Sequence, residues 1–329
     1  RVHAFRVNGS WLHLEGFEVI GVQVTITGHT QSIGFDNQGS HNVYERLSVH
    51  DGMAIGFWIG NGSHNLVLNC DAYRNHDDVS ENRRGGNTDG FGFHGPRGSV
   101  GNVFRGCRAW FNSDDGFDFI NSGEAAVAED CWAFYNGFSP RFEPLADGNG
   151  FKAGGHAGTP VARLPNPIPR HVVRGCLAVR NKANGFYANH HIGGVDFIHN
   201  SAARNRANFN LLGRQPDNRT DVPGYGHRVL NNLGFAGGAE VAQIDAAACE
   251  VRGNSWQLSF APEAKDFAGV DESVLTAARQ ADGSLPEIPF LRLAPGSRLI
   301  DQGVDAGRPF RGGAPDPGAF ESEAEKTRR

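Results

Sequence analysis

The chain has 329 residues, 39% of them hydrophobic, with 45 glycines, 23 phenylalanines, one methionine and a formal charge of -5. That length exceeds what one compact core usually takes, and the bias to glycine and phenylalanine points to many short strands and turns rather than helices. The weak acidic balance excludes a basic nucleic-acid footprint, and no run is long and apolar enough for a transmembrane helix.

A strand-like pattern starts directly after Arg1 with no apolar leader before it, which reads as a processed or trimmed N-terminus. A repeat then sets in. Its copies are Glu45-Arg46-Leu47-Ser48-Val49-His50, Asn69-Cys70-Asp71-Ala72-Tyr73-Arg74-Asn75 and Gly106-Cys107-Arg108-Ala109-Trp110-Phe111-Asn112. Asp130-Cys131-Trp132-Ala133-Phe134-Tyr135-Asn136 and Gly175-Cys176-Leu177-Ala178-Val179-Arg180-Asn181 come next, then a looser copy, Asn200-Ser201-Ala202-Ala203-Arg204-Asn205. Most read as short alternating strands ending at Asn, with Cys and Ala on one side. Each copy is followed by Gly-Phe, at Gly56-Phe57, Gly90-Phe91, Gly116-Phe117, Gly150-Phe151 and Gly185-Phe186; Asn208-Phe209 continues the series.

A period of roughly 22–26 residues, with the excess taken as loop insertions, predicts an all-β solenoid: a parallel β-helix with two strands per coil. A β-propeller needs blades of about 40 residues, and the shortest intervals here are too short for four strands. Coils stacked about 4.8 Å apart make ladders of equivalent residues. Cys70, Cys107, Cys131 and Cys176 should form one, the Phe residues another, and Asn75, Asn112, Asn136 and Asn181 a buried amide ladder. Five cysteines with no CxxC pair read as buried free thiols.

Insertions at His76 to Thr88, Gly137 to Gly148 and Gly155 to Pro169 flank the Gly-Phe strands and should wall a cleft. After about Glu240 the repeat blurs. Glu272 to Ala281 reads as a short helix, Leu293 to Glu321 as a cap over the open end, and Ser322 to Arg329 as a charged, disordered tail. The whole is expected to form one domain and a monomer.

Aligned on Gly-Phe, the preceding residue is Asp89, Asp115, Asn149 and Asn184 in turn. The residue after Phe is Gly92, Asp118, Lys152 and Tyr187. Asp89 and Asp115 should therefore stack on neighbouring coils, with Asp118 beside Lys152 and Asp114 in the turn leading to Asp115. Four carboxylates that close need a counter-charge. Ca2+ fits best, because it takes six to eight oxygens in flexible geometry; Mg2+ keeps more waters, and zinc wants His or Cys. A lone Asp-Gly would read as a solvated turn, but four converging Asp read as a metal site. A divalent cation nearby disfavours the ammonium of Lys152 and makes it a candidate general base. The rival reading is a structural Lys152–Asp118 ion pair.

At these residues the chain resembles polysaccharide lyase family 9, the pectate lyase type. The matching residues are Asp89 in Asn87-Thr88-Asp89-Gly90-Phe91, then Asp114, Asp115 and Asp118, and Lys152 in Gly148-Asn149-Gly150-Phe151-Lys152. Gly296-Ser297-Arg298-Leu299-Ile300-Asp301-Gln302-Gly303 and Ala314-Pro315-Asp316-Pro317-Gly318-Ala319-Phe320-Glu321 resemble the family's C-terminal part. The resemblance implies a right-handed parallel β-helix and a calcium site of Asp89, Asp114, Asp115 and Asp118. It also implies Lys152 as the base in β-elimination on an acidic polysaccharide, polygalacturonate first. Arg83, Arg84 and Arg141 are candidates for substrate carboxylates at other subsites, and read equally well as solvated loop charges. Asn149, Asn184 and Tyr187, at positions equivalent to the site residues, are further candidates for substrate contact. A polymer substrate implies secretion. Rival readings on the same fold are a uronate epimerase, a polygalacturonase-type hydrolase using the Asp cluster as acid and base, and a non-catalytic polysaccharide binder.

Overall fold

The computed structural model describes residues 2–322. Nearly every pairing in it is parallel and in register. Three long sheets, of nine, nine and eight strands, run the length of the stack, with one small antiparallel pair (Gly213–Arg214 with Asp221–Val222) beside them. The architecture is the expected parallel β-helix. The Gly-Phe strands make up the first sheet, where Phe57, Phe91, Phe117, Phe151, Phe186 and Phe209 pair in one unbroken row.

Each regular coil has three strands rather than two. The additional strand lies just before each copy read in the sequence and ends at the copy's first residue, which is in the left-handed region: Asn69 (φ 53°), Gly106 (φ 63°), Asp130 (φ 53°) and Gly175 (φ 65°). In one coil the strand Asn102–Arg105 lies before this bend and Arg108–Trp110 after it, in different sheets. Only Gly adopts this conformation freely, so Asn and Asp conceal the bend in the other copies. The cysteines sit at this bend. Cys70, Cys107, Cys131 and Cys176 are fully buried and unpaired by disulfides.

The interior explains the repeat's composition. The Phe rings stack face to face, with centroids 5.1, 4.7, 4.6, 5.0 and 4.9 Å apart from Phe57 to Phe209. The glycine before each Phe meets an alanine across a narrow interior. A Cβ on Gly56 would lie 2.6 Å from the Cβ of Ala72 and 2.5 Å from the Gly90 carbonyl oxygen. Gly56→Ala should therefore cost about 1–3 kcal/mol by overpacking. Gly158→Ala, which meets nothing within 4 Å, should be near neutral. Urea denaturation at unchanged m-value checks the pair.

The asparagine ladder forms as expected and ends each third-sheet strand. Asn75 donates to Asn112 (3.0 Å), Asn112 to Asn136 (3.2 Å), Asn136 to Asn181 (3.0 Å) and Asn181 to Asn205 (3.1 Å). Each amide also satisfies backbone. Asn136 donates to the Ala109 carbonyl and accepts from the Asn112 N–H. These contacts fix the turn that leads into the first sheet, and hence the positions of the first-sheet residues themselves.

Two C-terminal expectations change. The helix expected from Glu272 to Ala281 is a five-residue 3-10 turn, Glu272–Thr276. The guanidinium of Arg108 binds the carbonyls of Leu275 and Ala277, and the backbone extends at Ala277. The chain from Phe267 to Leu299, whose last part opens the segment read as an end cap, runs along the outer face of the third sheet. There Phe267, Leu275, Ile288, Phe290, Leu291, Leu293 and Leu299 bury against Trp132, Phe134, Leu177, Val179 and Leu233. That face carries large apolar side chains which a solvated sheet could not leave exposed. Arg279 fastens the segment to Asp71 at 2.6 Å. The interior at the C-terminal end is covered by Trp256, whose ring lies 5.0 Å from that of Phe209. Residues 323–329 of the charged tail lie outside the described residues.

Candidate active site

The first sheet brings Asp89, Asp114, Asp115, Asp118 and Lys152 together. Asp118 pairs in register with Gly92 on one side and Lys152 on the other. At the entry to these strands the residues before glycine form a polar ladder. Asp89 Oδ1 accepts the Asp115 N–H (3.1 Å), and Asp115 Oδ1 accepts both the backbone N–H and side-chain amide of Asn149 (2.7 and 2.8 Å). Asn149 in turn accepts from Asn184 at 2.8 Å. Asp114 Oδ1 accepts the Asp147 N–H (3.1 Å), and its own N–H donates to the Thr88 carbonyl. The 76–88 and 137–148 insertions are thus both tied to the Asp114 turn.

Carboxylate oxygens of Asp89, Asp114 and Asp115 lie within 4.8 Å of one another. Lys152 Nζ stands 3.0 Å from Asp115 Oδ2 and 3.4 Å from Asp118 Oδ2. The Asp115 oxygen has this ion pair but no hydrogen bond, although it is fully buried. Asp118 sits on the lysine side and accepts the Ile120 N–H with its other oxygen. Burial, reinforced by the neighbouring carboxylates, pushes Asp89 and Asp114 well above the usual carboxylate range. Burial on its own would favour neutral Lys152. The opposing pull of Asp115, Asp118, Asp114 and Asp89 outweighs it and holds the ammonium well above its ordinary value. The downward direction expected for Lys152 is therefore not what these carboxylates produce by themselves; it requires added positive charge among them.

Residues 1–225 match the family model described as "Pel9A-like, right handed beta helix region". Pectate lyase L of Dickeya chrysanthemi is 36% identical over 323 residues, covering 97% of this chain and 68% of that protein. Among solved structures, one titled "Rhamnogalacturonan lyase" is 46% identical with a TM-score of 0.86, covering 91% of this chain and 74% of that one. A second, of pectate lyase Pel9A, is 34% identical with a TM-score of 0.74, covering 94% and 73%. The chain belongs to polysaccharide lyase family 9. It is a right-handed parallel β-helix and a polysaccharide lyase.

Other residues singled out in the sequence fall in different places in the lyase. Asn149 is buried within the ladder, and Asn184 is half-buried beside it. Tyr187 pairs with Lys152 on the next coil, and burial pushes its hydroxyl up to about 12. Arg83, Arg84 and Arg141 are exposed in the 76–88 and 137–148 insertions. The 137–148 loop turns its Phe142 towards Phe111 and Tyr135, on the third-sheet side of the coil. The alignment on Gly-Phe, carried one coil further back, would have found Trp58. It occupies the outward position equivalent to Gly92, Asp118 and Lys152. No helix among the described residues is long and apolar enough to cross a membrane.

Proposed function

We propose that the lyase cleaves a galacturonate-containing pectic backbone by calcium-dependent β-elimination, with Lys152 as the base. The observation that carries this reading is the buried Asp115 Oδ2. It has no hydrogen-bond partner and lies 3.0 Å from Lys152 Nζ, and a carboxylate oxygen of Asp115 lies within 4.8 Å of oxygens of Asp89 and Asp114. Such a donor set, all carboxylate oxygen, suits Ca2+, with Asp118 as fourth ligand. Calcium, when held there, offsets the carboxylate charge that otherwise keeps Lys152 protonated and gives the substrate carboxylate a positive partner.

Neutral Lys152 accepts the C5 proton of a uronate unit. The electron pair left on C5 forms the C4–C5 double bond, and the C4–O bond breaks. Water protonates the departing oxygen, and the new non-reducing end is an unsaturated uronate. Asp118, 3.4 Å from Nζ, orients the amine, and Asn149 holds Asp115 in place through two hydrogen bonds. A nucleophile is not needed.

Polygalacturonate is the polymer expected from the sequence. The 46% identity to a structure titled "Rhamnogalacturonan lyase" exceeds the 36% and 34% to the pectate lyases, and favours rhamnogalacturonan. A polymer of either kind places the lyase outside the cell. The test is ultraviolet absorbance of unsaturated product from both polymers, with calcium and with EDTA. Absorbance should grow faster on rhamnogalacturonan, stop in EDTA and return with calcium. New reducing ends without absorbance would make the protein a hydrolase. Absorbance indifferent to EDTA would remove the metal from the reaction.

A further inference from the structure

The three strands that carry Gly92, Asp118 and Lys152 run on into the walls of one pocket. Arg97 follows the first, Asn121 to Gly123 follow the second, and His156 follows the third, with Arg163 added by the 155–169 insertion. The cavity measures about 460 Å³. His156 is four residues beyond Lys152, so their Cα atoms are at most about 14 Å apart. The walls are fastened to one another. The Gly123 N–H donates to the Gly95 carbonyl and the Asn121 N–H to the Gly155 carbonyl, both at 2.8 Å. Arg97 donates to the Asn166 carbonyl, and Asn218 donates to the Thr159 carbonyl at 2.9 Å. A pocket braced in this way needs little ordering when a ligand enters.

The charge on these walls is one-sided. They hold Arg97 and Arg163 and no carboxylate, in a chain whose formal charge is -5. Neither arginine is ion-paired among the described residues. Glu124, next along the chain from Gly123, is turned to the Gly98 N–H at 2.9 Å. Arg97 spends one nitrogen on Asn166 and keeps the rest of its fork. Two cations facing one cavity repel each other, and an anion between them relieves that. His156 lines the same cavity. It is 3% exposed, and its Nε2 is buried with no hydrogen-bond partner. The neighbouring ring of His191, 5.7 Å away, is already engaged by the Gly155 N–H and the Pro169 carbonyl. Burial holds the His156 imidazole below its ordinary value, so it stands beside the arginines as a neutral hydrogen-bonding group. A buried polar atom without a partner is costly unless something entering the cavity meets it. Two guanidinium forks with a neutral imidazole suit a carboxylate on a sugar, whose hydroxyls the imidazole can also bond.

We propose that this pocket is a subsite for the carboxylate of a second uronate unit of the substrate chain, held by Arg97, Arg163 and His156 while another unit lies at Lys152. The polymer then leaves Lys152 along the strands and over the edge of the sheet, rather than along the stack. This rests on the lyase reading of Lys152, and the experiment separates the two. Calorimetry on the Lys152→Ala protein in calcium reads affinity without turnover, using a long galacturonate oligosaccharide and a disaccharide too short to reach from Lys152 to the pocket. Arg163→Glu should weaken the long chain about tenfold at low salt and much less at high salt, and leave the disaccharide unchanged. Arg163→Gln should lose less, and Arg163→Lys least, the order a charge contact requires. His156→Ala should also weaken the long chain alone. Its melting temperature is read first, because the side chain is buried; if it does not fold, the exposed Arg163 carries the test. No loss on the long chain, an equal loss on the disaccharide, or equal losses in all three Arg163 variants would overturn the subsite. Tight binding of free galacturonate or inorganic phosphate that Arg163→Glu removes would overturn it too, and make the pocket a site for small anions. Absence of unsaturated product from wild type would instead overturn the lyase chemistry, and the calorimetric result would still stand for or against the pocket.

Discussion

Lys152→Ala should lower kcat by about 10²–10⁴-fold on any substrate the lyase accepts, the scale expected when a positioned proton acceptor is removed. Because Lys152 is the cation among four buried carboxylates, 3.0 Å from Asp115 and 3.4 Å from Asp118, the change should do more than stop turnover. Without calcium the variant should melt at a lower temperature than wild type, since the carboxylates lose their internal counter-charge. Calcium should bind it at least as tightly, because a competing cation is gone. Initial-rate absorbance assays, thermal melts in EDTA and a calcium titration read these three effects separately. A variant with substantial elimination, or one whose calcium affinity collapses, would contradict the role given to Lys152. Lys152→Arg should recover the stability without the activity, as a guanidinium keeps the charge and does not release its proton.

Asp89→Asn should act in opposite directions with and without calcium. The side chain is 3% exposed, and burial with Asp114, Asp118 and Asp115 around it pushes it far above its ordinary value of 3.8. A carboxyl raised in the folded state favours folding while it is protonated. Its contribution is therefore fully present below the unfolded value near 3.8 and is lost as pH rises through the raised folded value. In EDTA at neutral pH the wild type carries this penalty, and the amide removes it while its Oδ1 can still accept the Asp115 N–H. The expected result is a higher melting temperature in EDTA and a flatter dependence of stability on pH. In calcium the order reverses. Affinity should fall by about 10–100-fold or more, since even indirect partners of a metal cost that much, and activity should fall with it. A variant that melts lower than wild type in EDTA would show that Asp89 is neutralised in some other way.

Much of the site was legible because of how a parallel β-helix stacks. Its strands are in register, so residues one period apart in sequence are neighbours in space. Counting from Gly-Phe was enough to set Asp118 beside Lys152 and Asp89 beside Asp115. The same count reaches Trp58 when carried one coil back, and a count that stops at Gly92 misses it. The arginines could not be placed that way. Arg83, Arg84 and Arg141 lie in insertions, where no periodic neighbour fixes a position. The third strand of each coil was hidden because it lies before the copies the repeat marks out, separated from them by a single left-handed residue. The C-terminal segment escaped for another reason. Its docking on the third-sheet face depends on Trp132, Phe134 and Leu177, which only the folded coil turns to one side.

Period and residue type alone were enough to set the stacking of the coils, the ladders and the group of four aspartates with one lysine, but not the number of strands in each coil. The charge state of that group came from the folded molecule. Whether Lys152 is pulled towards ammonium or released as a base depends on distances of 3.0 and 3.4 Å and on burial that excludes water. Electrostatic energies of buried groups vary steeply with both, and neither is written in the order of the residues.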